Sequence, residues 1–380
     1  MTKVFYWSPF LGWVATISAV KRSAESIIKY SKNKYNIKII DSIGEWNKFY
    51  GNEKSNLFIK LYNQSFFDKV PKGGFVKSRI SYLIIFFYSF FKLAKIINKE
   101  KPDYFIIHLI TSLPIILSFF FNKNTKLILR ISGYPNLHFL RLIFWKIFSS
   151  KIYLVTCPTL FTVNMIKNLK IFDDNKVILL RDPVIDMENI KNKREESLGI
   201  NYINKNNTII SIGRLTRQKN FLFIINAFQK LLIKYPSYKL IIIGEGEQED
   251  LLLKQIKKLN LQEYIIFLGF KKNVNNYLFN SSIFLSASYY EDPGFALLEA
   301  CLNNAIILSA NTSGGPEEFL KHNENCFIFQ NNNIEDFMSK FDQLINCSDE
   351  KIKKIRLNAK RIVLNYSKFR HYNQIKKILV

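Results

Sequence analysis

Short apolar runs alternate with helix-period stretches along most of the chain. Residues 2–7, 103–108, 126–131, 152–156 and 177–180 read as strands, and 14–32, 111–121, 137–148 and 160–169 as the helices between them. The alternation lapses over 183–206, a polar linker with a charge run at 191–196, and resumes at 208. Beyond it, 208–212, 239–243, 265–268, 283–285 and 305–309 are predicted strands, with helices over 221–232 and 295–302. Strand-helix alternation predicts doubly wound parallel sheets whose ligands lie past the strand C-termini. The predicted α/β architecture has one such domain over 1–182, a second over 207–360 and a terminal helix over 361–380.

Two stretches resist this pattern. Residues 41–78, rich in Asn, Lys and aromatics, show no period and read as an insertion. Residues 81–97 are apolar nearly all round and end in Lys92 and Lys95, which suits a buried or membrane-facing helix better than a spanning one. Ser8, Pro9 and Gly12 interrupt the apolar run 4–20, which therefore reads as strand, loop and helix rather than a leader.

Length and composition agree with two globular domains: 380 residues, 48% hydrophobic and 22% charged. The four cysteines form no CxxC pair, so reduced thiols and a cytoplasmic setting are expected. The four histidines are not at HxxxH spacing and no Asp-x-Asp triplet occurs, so no metal is expected. Charge changes the picture more. Residues 1–185 hold 28 Lys and Arg against 10 Asp and Glu, whereas 186–380 hold 27 against 20. A lysine-rich genome would raise both halves alike; the basic first half points to an anionic partner such as membrane headgroups, a phosphate-bearing acceptor or nucleic acid. No helix-turn-helix, RRM or zinc pattern supports the nucleic acid.

The densest chemistry lies in 288–300, SYYEDPGFALLEA. Pro293 and Gly294 end the strand and open a helix, leaving Glu291 on the loop and Glu299 about two turns beyond it. The amides of Gly294, Phe295 and Ala296 and the positive helix end suit a phosphate, and nearby carboxylates suit sugar hydroxyls. An ordinary strand-turn-helix with a solvated acidic loop has the same local pattern. The stretch resembles the signature of glycosyltransferase family 4, retaining nucleotide-sugar transferases with two glutamates seven residues apart, as Glu291 and Glu299 are. Asp292 and Pro293 stand before Gly294-Phe295, where the family often has Gly-Phe directly after the first Glu.

The resemblance implies a GT-B fold, with an acceptor domain and a donor domain facing a central cleft. It also implies that Glu291 contacts the transferred sugar, that Glu299 holds the ribose, and that the backbone through Leu297 meets sugar and diphosphate. The loop from Gly213, with Arg214 and Lys219, corresponds to the family's diphosphate grip. Gly244 in Gly244-Glu245-Gly246 and the Phe270-Lys271 pair correspond to nucleotide-side contacts. Gly314 and Gly315 resemble a Gly-Gly loop on the donor side. In the first half, Gly12 is the single glycine of the expected phosphate loop, and His108 at a strand end is either a core histidine or a neighbour of the reacting centre. Arg130 and Gly133, at another strand end, are candidates for the same cleft.

The implied reaction is metal-independent retaining transfer of a hexose or N-acetylhexosamine from a nucleotide diphosphate sugar, without a cofactor. The acceptor would be a lipid-linked saccharide or a lipopolysaccharide- or capsule-type glycan at the inner face of the membrane. An epimerase or hydrolase on the same scaffold, and a basic nucleic-acid-binding protein, are the competing expectations.

Overall fold

A computed structural model describes residues 1–12, 14–50, 55–71, 75–120, 124–135, 137–188, 190–199 and 205–379. Trp13, parts of the 41–78 stretch and parts of the 183–206 linker thus lie outside the described residues. The chain forms two compact units, residues 1–183 with 368–380, and residues 184–367.

The first unit is built on seven parallel strands: β1 (Thr2–Trp7), β2 (Tyr35–Asp41), β3 (Phe58–Lys60), β4 (Tyr104–Ile107), β5 (Lys126–Arg130), β6 (Leu154–Cys157) and β7 (Val177–Leu179). Their order is β3-β2-β1-β4-β5-β6-β7, so the sheet is wound in both directions from β1. Two apolar layers cover its faces, one centred on Phe105, Leu129, Ile85 and Leu93, the other on Tyr6, Ile39, Ile17 and Ile375. Strand β2 precedes the 41–78 stretch and was not among the predicted strands, whereas β3 lies inside that stretch; three residues of β3 are too few to show a period, and only pairing with β2 defines it. The predicted 81–97 helix is longer at both ends, Phe75–Glu100, and forms the crossover between β3 and β4.

The second unit has six parallel strands: β8 (Thr208–Ile212), β9 (Lys239–Ile243), β10 (Ile265–Phe267), β11 (Ile283–Ser286), β13 (Ile306–Ala310) and β15 (Phe327–Phe329). Their order is β10-β9-β8-β11-β13-β15. A separate two-stranded ribbon pairs β12 (Tyr290–Glu291) with β14 (Ser313–Gly314). The central strands are almost wholly Ile and Leu and are buried on both faces, as parallel sheets require. Both sheets are therefore the doubly wound kind expected from the alternation.

The predicted terminal helix over 361–380 is not one helix. The chain runs as Asp349–Val363, breaks through a 3-10 turn at Leu364–Tyr366, and resumes as Lys368–Ile375. The last piece belongs to the first unit, where it packs on the Ala15–Tyr30 helix. Lys368 pairs with Glu25 at 3.0 Å. His371 sits between the Ser23 hydroxyl, 2.7 Å from Nε2, and the Arg181 carbonyl, 2.6 Å from Nδ1. Burial, only partly offset by that carbonyl, pushes the His371 imidazole down to about 4.

A buried neutral histidine makes stability depend on pH. The unfolded chain takes up the proton below the ordinary value of 6.5, so stability is full above that pH and falls as pH drops from 6.5 toward 4. The loss approaches about 3 kcal/mol at the acid end. Urea unfolding of wild type and His371→Gln should show a stability gap that narrows steadily over that range; a gap independent of pH would contradict the assignment.

Candidate functional site

The strand ends of the second unit are tied together before any side chain is considered. Gly213, after β8, donates its N–H to the Ile243 carbonyl, and Gly244, after β9, donates to Gly269, after β10, each at 3.0 Å. Leu215 donates to Glu245 at 2.9 Å and Gln248 to Leu215 at 3.0 Å. The loops touch so closely that only glycine fits at two positions. A Cβ on Gly244 would lie 1.8 Å from the Gly213 carbonyl oxygen, and one on Gly246 would lie 2.5 Å from that of Leu215.

Lys219 closes back over this floor, its aliphatic stem 3.3 Å from where a Gly213 Cβ would stand. Its ammonium pairs with Glu291 Oε1. Ser288 donates its hydroxyl to the same oxygen at 2.7 Å. Glu291 and Ser288 are both buried, Glu291 with 8% of its surface exposed. A carboxylate this enclosed is stable as an anion only because a cation and a donor face it. Arg214, on the same loop, is exposed.

Glu291 is held from its backbone as well. The Gln218 side chain donates to the Tyr290 carbonyl at 2.7 Å, and Thr312 Oγ1 donates to the Ser288 carbonyl at 2.9 Å. In the β12–β14 ribbon Glu291 is the partner of Gly314. A Cβ on Gly314 would meet the Glu291 carbonyl oxygen at 2.4 Å, and one on Gly315 would meet the Pro293 backbone at 2.7 Å. Gly314 and Gly315 thus seat the glutamate loop: their missing side chains make room for protein backbone.

Past Pro293, Gly294 adopts φ 96° and caps the Phe295–Leu302 helix. Its missing side chain would stand 3.3 Å from Glu291 Cβ. The first amides of that helix, from Phe295 through Leu297, have no intrahelical acceptors and carry the positive end of its dipole. Glu299 is half-buried and lies about 6 Å further along the axis. Gly244, Gly213, Lys219, Glu291, Gly294 and the helix tip therefore form one continuous patch. Phe270 is exposed at its edge, its N–H 3.4 Å from Glu245 Oε1.

The first-unit candidates sit at the ends of β1, β4 and β5. His108 follows β4 and is buried, its Nδ1 3.0 Å from the Ser132 hydroxyl. Burial first, then the nearby Arg130 charge, hold its imidazole well below the usual range. Arg130 is occupied within the fold, donating to the Leu180 carbonyl at 2.7 Å and to Asp182 at 2.6 Å. Burial raises the Asp182 carboxyl while Arg130 lowers it. Gly133 has φ 96° and Gly12 has an ordinary φ; both have open space where a side chain would be.

Residues 192–362 match the family described as glycosyl transferases group 1. That segment belongs to the group 1 glycosyl transferases. An uncharacterized glycosyltransferase of Methanocaldococcus jannaschii is 30% identical over 246 residues, covering 60% of this chain and 61% of its own length. The Campylobacter jejuni N-acetylgalactosamine-N,N'-diacetylbacillosaminyl-diphospho-undecaprenol 4-alpha-N-acetylgalactosaminyltransferase is 30% identical over 174 residues, covering 46% of this chain and 45% of its own. The chain thus spans about three fifths or less of these curated relatives. Anabaena HepE, solved with UDP and glucose, superposes with a TM-score of 0.74 at 15% identity over 100% of this chain and 99% of that one. The architecture is the two-domain GT-B glycosyltransferase fold.

Ser288, Gln218 and Thr312 were not singled out from the sequence. Ser288, three residues before Glu291, was the one with a visible cue, since Ser-x-x-Glu is a spacing at which the two side chains meet. The Lys219–Glu291 pair makes a stability prediction. Lys219→Met should destabilise the chain by about 3 kcal/mol, because it leaves a buried carboxylate without its cation. The double variant Lys219→Met/Glu291→Leu should recover most of that loss in denaturant unfolding. Additive losses would mean that the two side chains are not coupled.

Proposed function

We propose that the chain is a retaining glycosyltransferase using a nucleotide diphosphate sugar. The observation that carries this reading is the pairing of Lys219 with the buried Glu291 and Ser288, set against a helix N-terminus on a glycine-tight floor. A diphosphate over the Phe295 helix tip would meet free amides, the Lys219 ammonium and the exposed Arg214 guanidinium, all placed where negative charge grows as the leaving group departs. Glu291 would then face the sugar and Glu299 the ribose hydroxyls. The bond from the anomeric carbon to the diphosphate oxygen breaks, the acceptor oxygen bonds that carbon on the same face, and the acceptor proton passes to the leaving phosphate oxygen. Lys219, Arg214 and the helix dipole supply the charge stabilisation, so the reaction needs no metal and no cofactor. His108, held neutral by burial, would be a hydrogen-bonding group of the first unit rather than a cation.

What two of the relatives are named for or solved with supports the partners. The C. jejuni enzyme is named for a diphospho-undecaprenol-linked saccharide, and HepE was solved with UDP and glucose. By that analogy the donor is a UDP-hexose or UDP-N-acetylhexosamine and the acceptor a lipid-linked or cell-surface glycan. The chain would act as a peripheral protein at the cytoplasmic face of the membrane.

A panel of UDP-, GDP- and ADP-sugars, scored by thermal shift and turnover with and without chelator, tests this directly. One nucleotide should stabilise the protein, and chelator should leave turnover unchanged. Glu299→Ala should weaken nucleotide binding about 10- to 100-fold, the worth of hydrogen bonds to a charged acceptor. Glu291→Ala should lower kcat with little change in nucleotide affinity. Full activity in both variants would refute the site, and release of free sugar or an isomer without acceptor would replace transfer with hydrolysis or epimerisation.

A further inference from the structure

The Phe75–Glu100 helix carries two apolar stripes where a soluble surface helix has one. Its inner stripe, Ser81, Ile85, Ser89, Leu93 and Ile97, is buried against the first-unit sheet. Its outer stripe runs Val76, Ile80, Leu83, Phe87 and Phe91, spaced by three or four residues, and is 46% to 81% exposed. The solvent-facing row is thus more apolar than the buried one, which contains two serines. The Phe139–Phe148 helix repeats the pattern, with Phe139, Leu140, Ile143 and Ile147 exposed. Both helices belong to the same layer over one face of the sheet, and burial and then the nearby Arg79 charge lower the Arg141 guanidinium. Contiguous exposed apolar area of this kind marks an interaction surface.

The charges around it identify the partner. Residues 69–99 contain seven Lys and Arg and no acid, and residues 104–172 contain eight and none. Lys77, Arg79, Lys92, Lys95, Lys99 and Lys146 are exposed on the two helices. A second copy of this chain would set like charges against each other. An anionic bilayer satisfies both the apolar stripe and its basic border.

We infer that this face docks on an anionic lipid bilayer, with the Phe75–Glu100 helix lying in the interface plane and Leu83, Phe87 and Phe91 among the acyl chains. The helix is long and apolar enough to cross a membrane, and only 28% of its most apolar window is buried. Crossing is nevertheless excluded by its layout. The uncharged run between Arg79 and Lys92 is about 18 Å long, short of the roughly 30 Å hydrocarbon core. Its inner stripe is also part of the protein core. The inference deepens the membrane side of the proposed function and is independent of the donor site.

The test is flotation of the full chain with vesicles of phosphatidylcholine alone or mixed with phosphatidylglycerol. Wild type should float with the anionic vesicles, weaken as salt rises, and be released by alkaline carbonate. Leu83→Ser/Phe87→Ser/Phe91→Ser should partition at least tenfold less, with unchanged unfolding and unchanged donor turnover in solution; Lys92→Gln/Lys95→Gln/Lys99→Gln should flatten the salt dependence. Equal flotation of wild type and the triple serine variant would overturn the assignment. So would carbonate resistance, which means a span, or a wild-type dimer in light scattering that the serine variant abolishes without any vesicle binding. Loss of turnover with flotation intact would count against the donor reading and leave this one standing.

Discussion

A carboxylate cannot stay charged inside a protein unless something positive or hydrogen-bonding meets it, and the second unit is arranged around one that does. Glu291 is matched by Lys219 and Ser288. Meeting that requirement needs residues more than 70 positions apart, so it constrains the loops after β8 and β11 to one mutual placement. The floor beneath them is set by close backbone contact of Gly244 with Gly213 and of Gly246 with Leu215, where side chains added at Gly244 or Gly246 would collide with carbonyl oxygens. The glutamate loop is fixed from its other side by Gly314 and Gly315. The result is a rigid rim around a helix N-terminus, the arrangement that electrostatic preorganisation asks for.

Placing the charged cluster at strand ends follows from the same physics as the sheets. Strands of Ile and Leu covered on both faces leave no room for ionised groups along their length. Charge therefore collects where strands give way to loops. The first unit follows the rule: His108 and Arg130 both stand at strand ends. There Arg130 is spent inward, on Asp182 and on the Leu180 carbonyl, while on the terminal helix His371 is likewise spent on Ser23 and the Arg181 carbonyl. The two units thus share a sheet design and use its edge differently, one for internal cohesion and one for a charge-stabilising rim. The first unit instead presents its distinctive chemistry outward, on a helix whose outer row is apolar and bordered by lysines.

Much of this was legible in the residues themselves. The Ile- and Leu-rich runs placed most of the central strands, because burial on both faces leaves a continuous apolar signature; β2, which carries Asn36 and Lys38 among its apolar residues, was missed. The helix opened by Gly294 and the glutamate spacing were visible because Pro and Gly restrict the backbone locally. Three-residue strands such as β3 and β15 were invisible, since they exist only through pairing with a neighbour. Arg130 looked like a ligand-binding cation at a strand end; its partner Asp182 is 52 positions away, and no local pattern shows that two such charges meet.

The sequence alone thus determined the doubly wound class, the positions of the long elements, the glutamate pair and the basic bias of the first half, since each is a matter of local conformation or composition. Tertiary structure decided which charges are neutralised and by whom, that Gly314 and Gly315 make room for the glutamate loop, and which row of the Phe75–Glu100 helix faces outward. Those outcomes depend on contacts between residues distant in the chain, and an amphipathic period cannot say which of two apolar stripes the core will take.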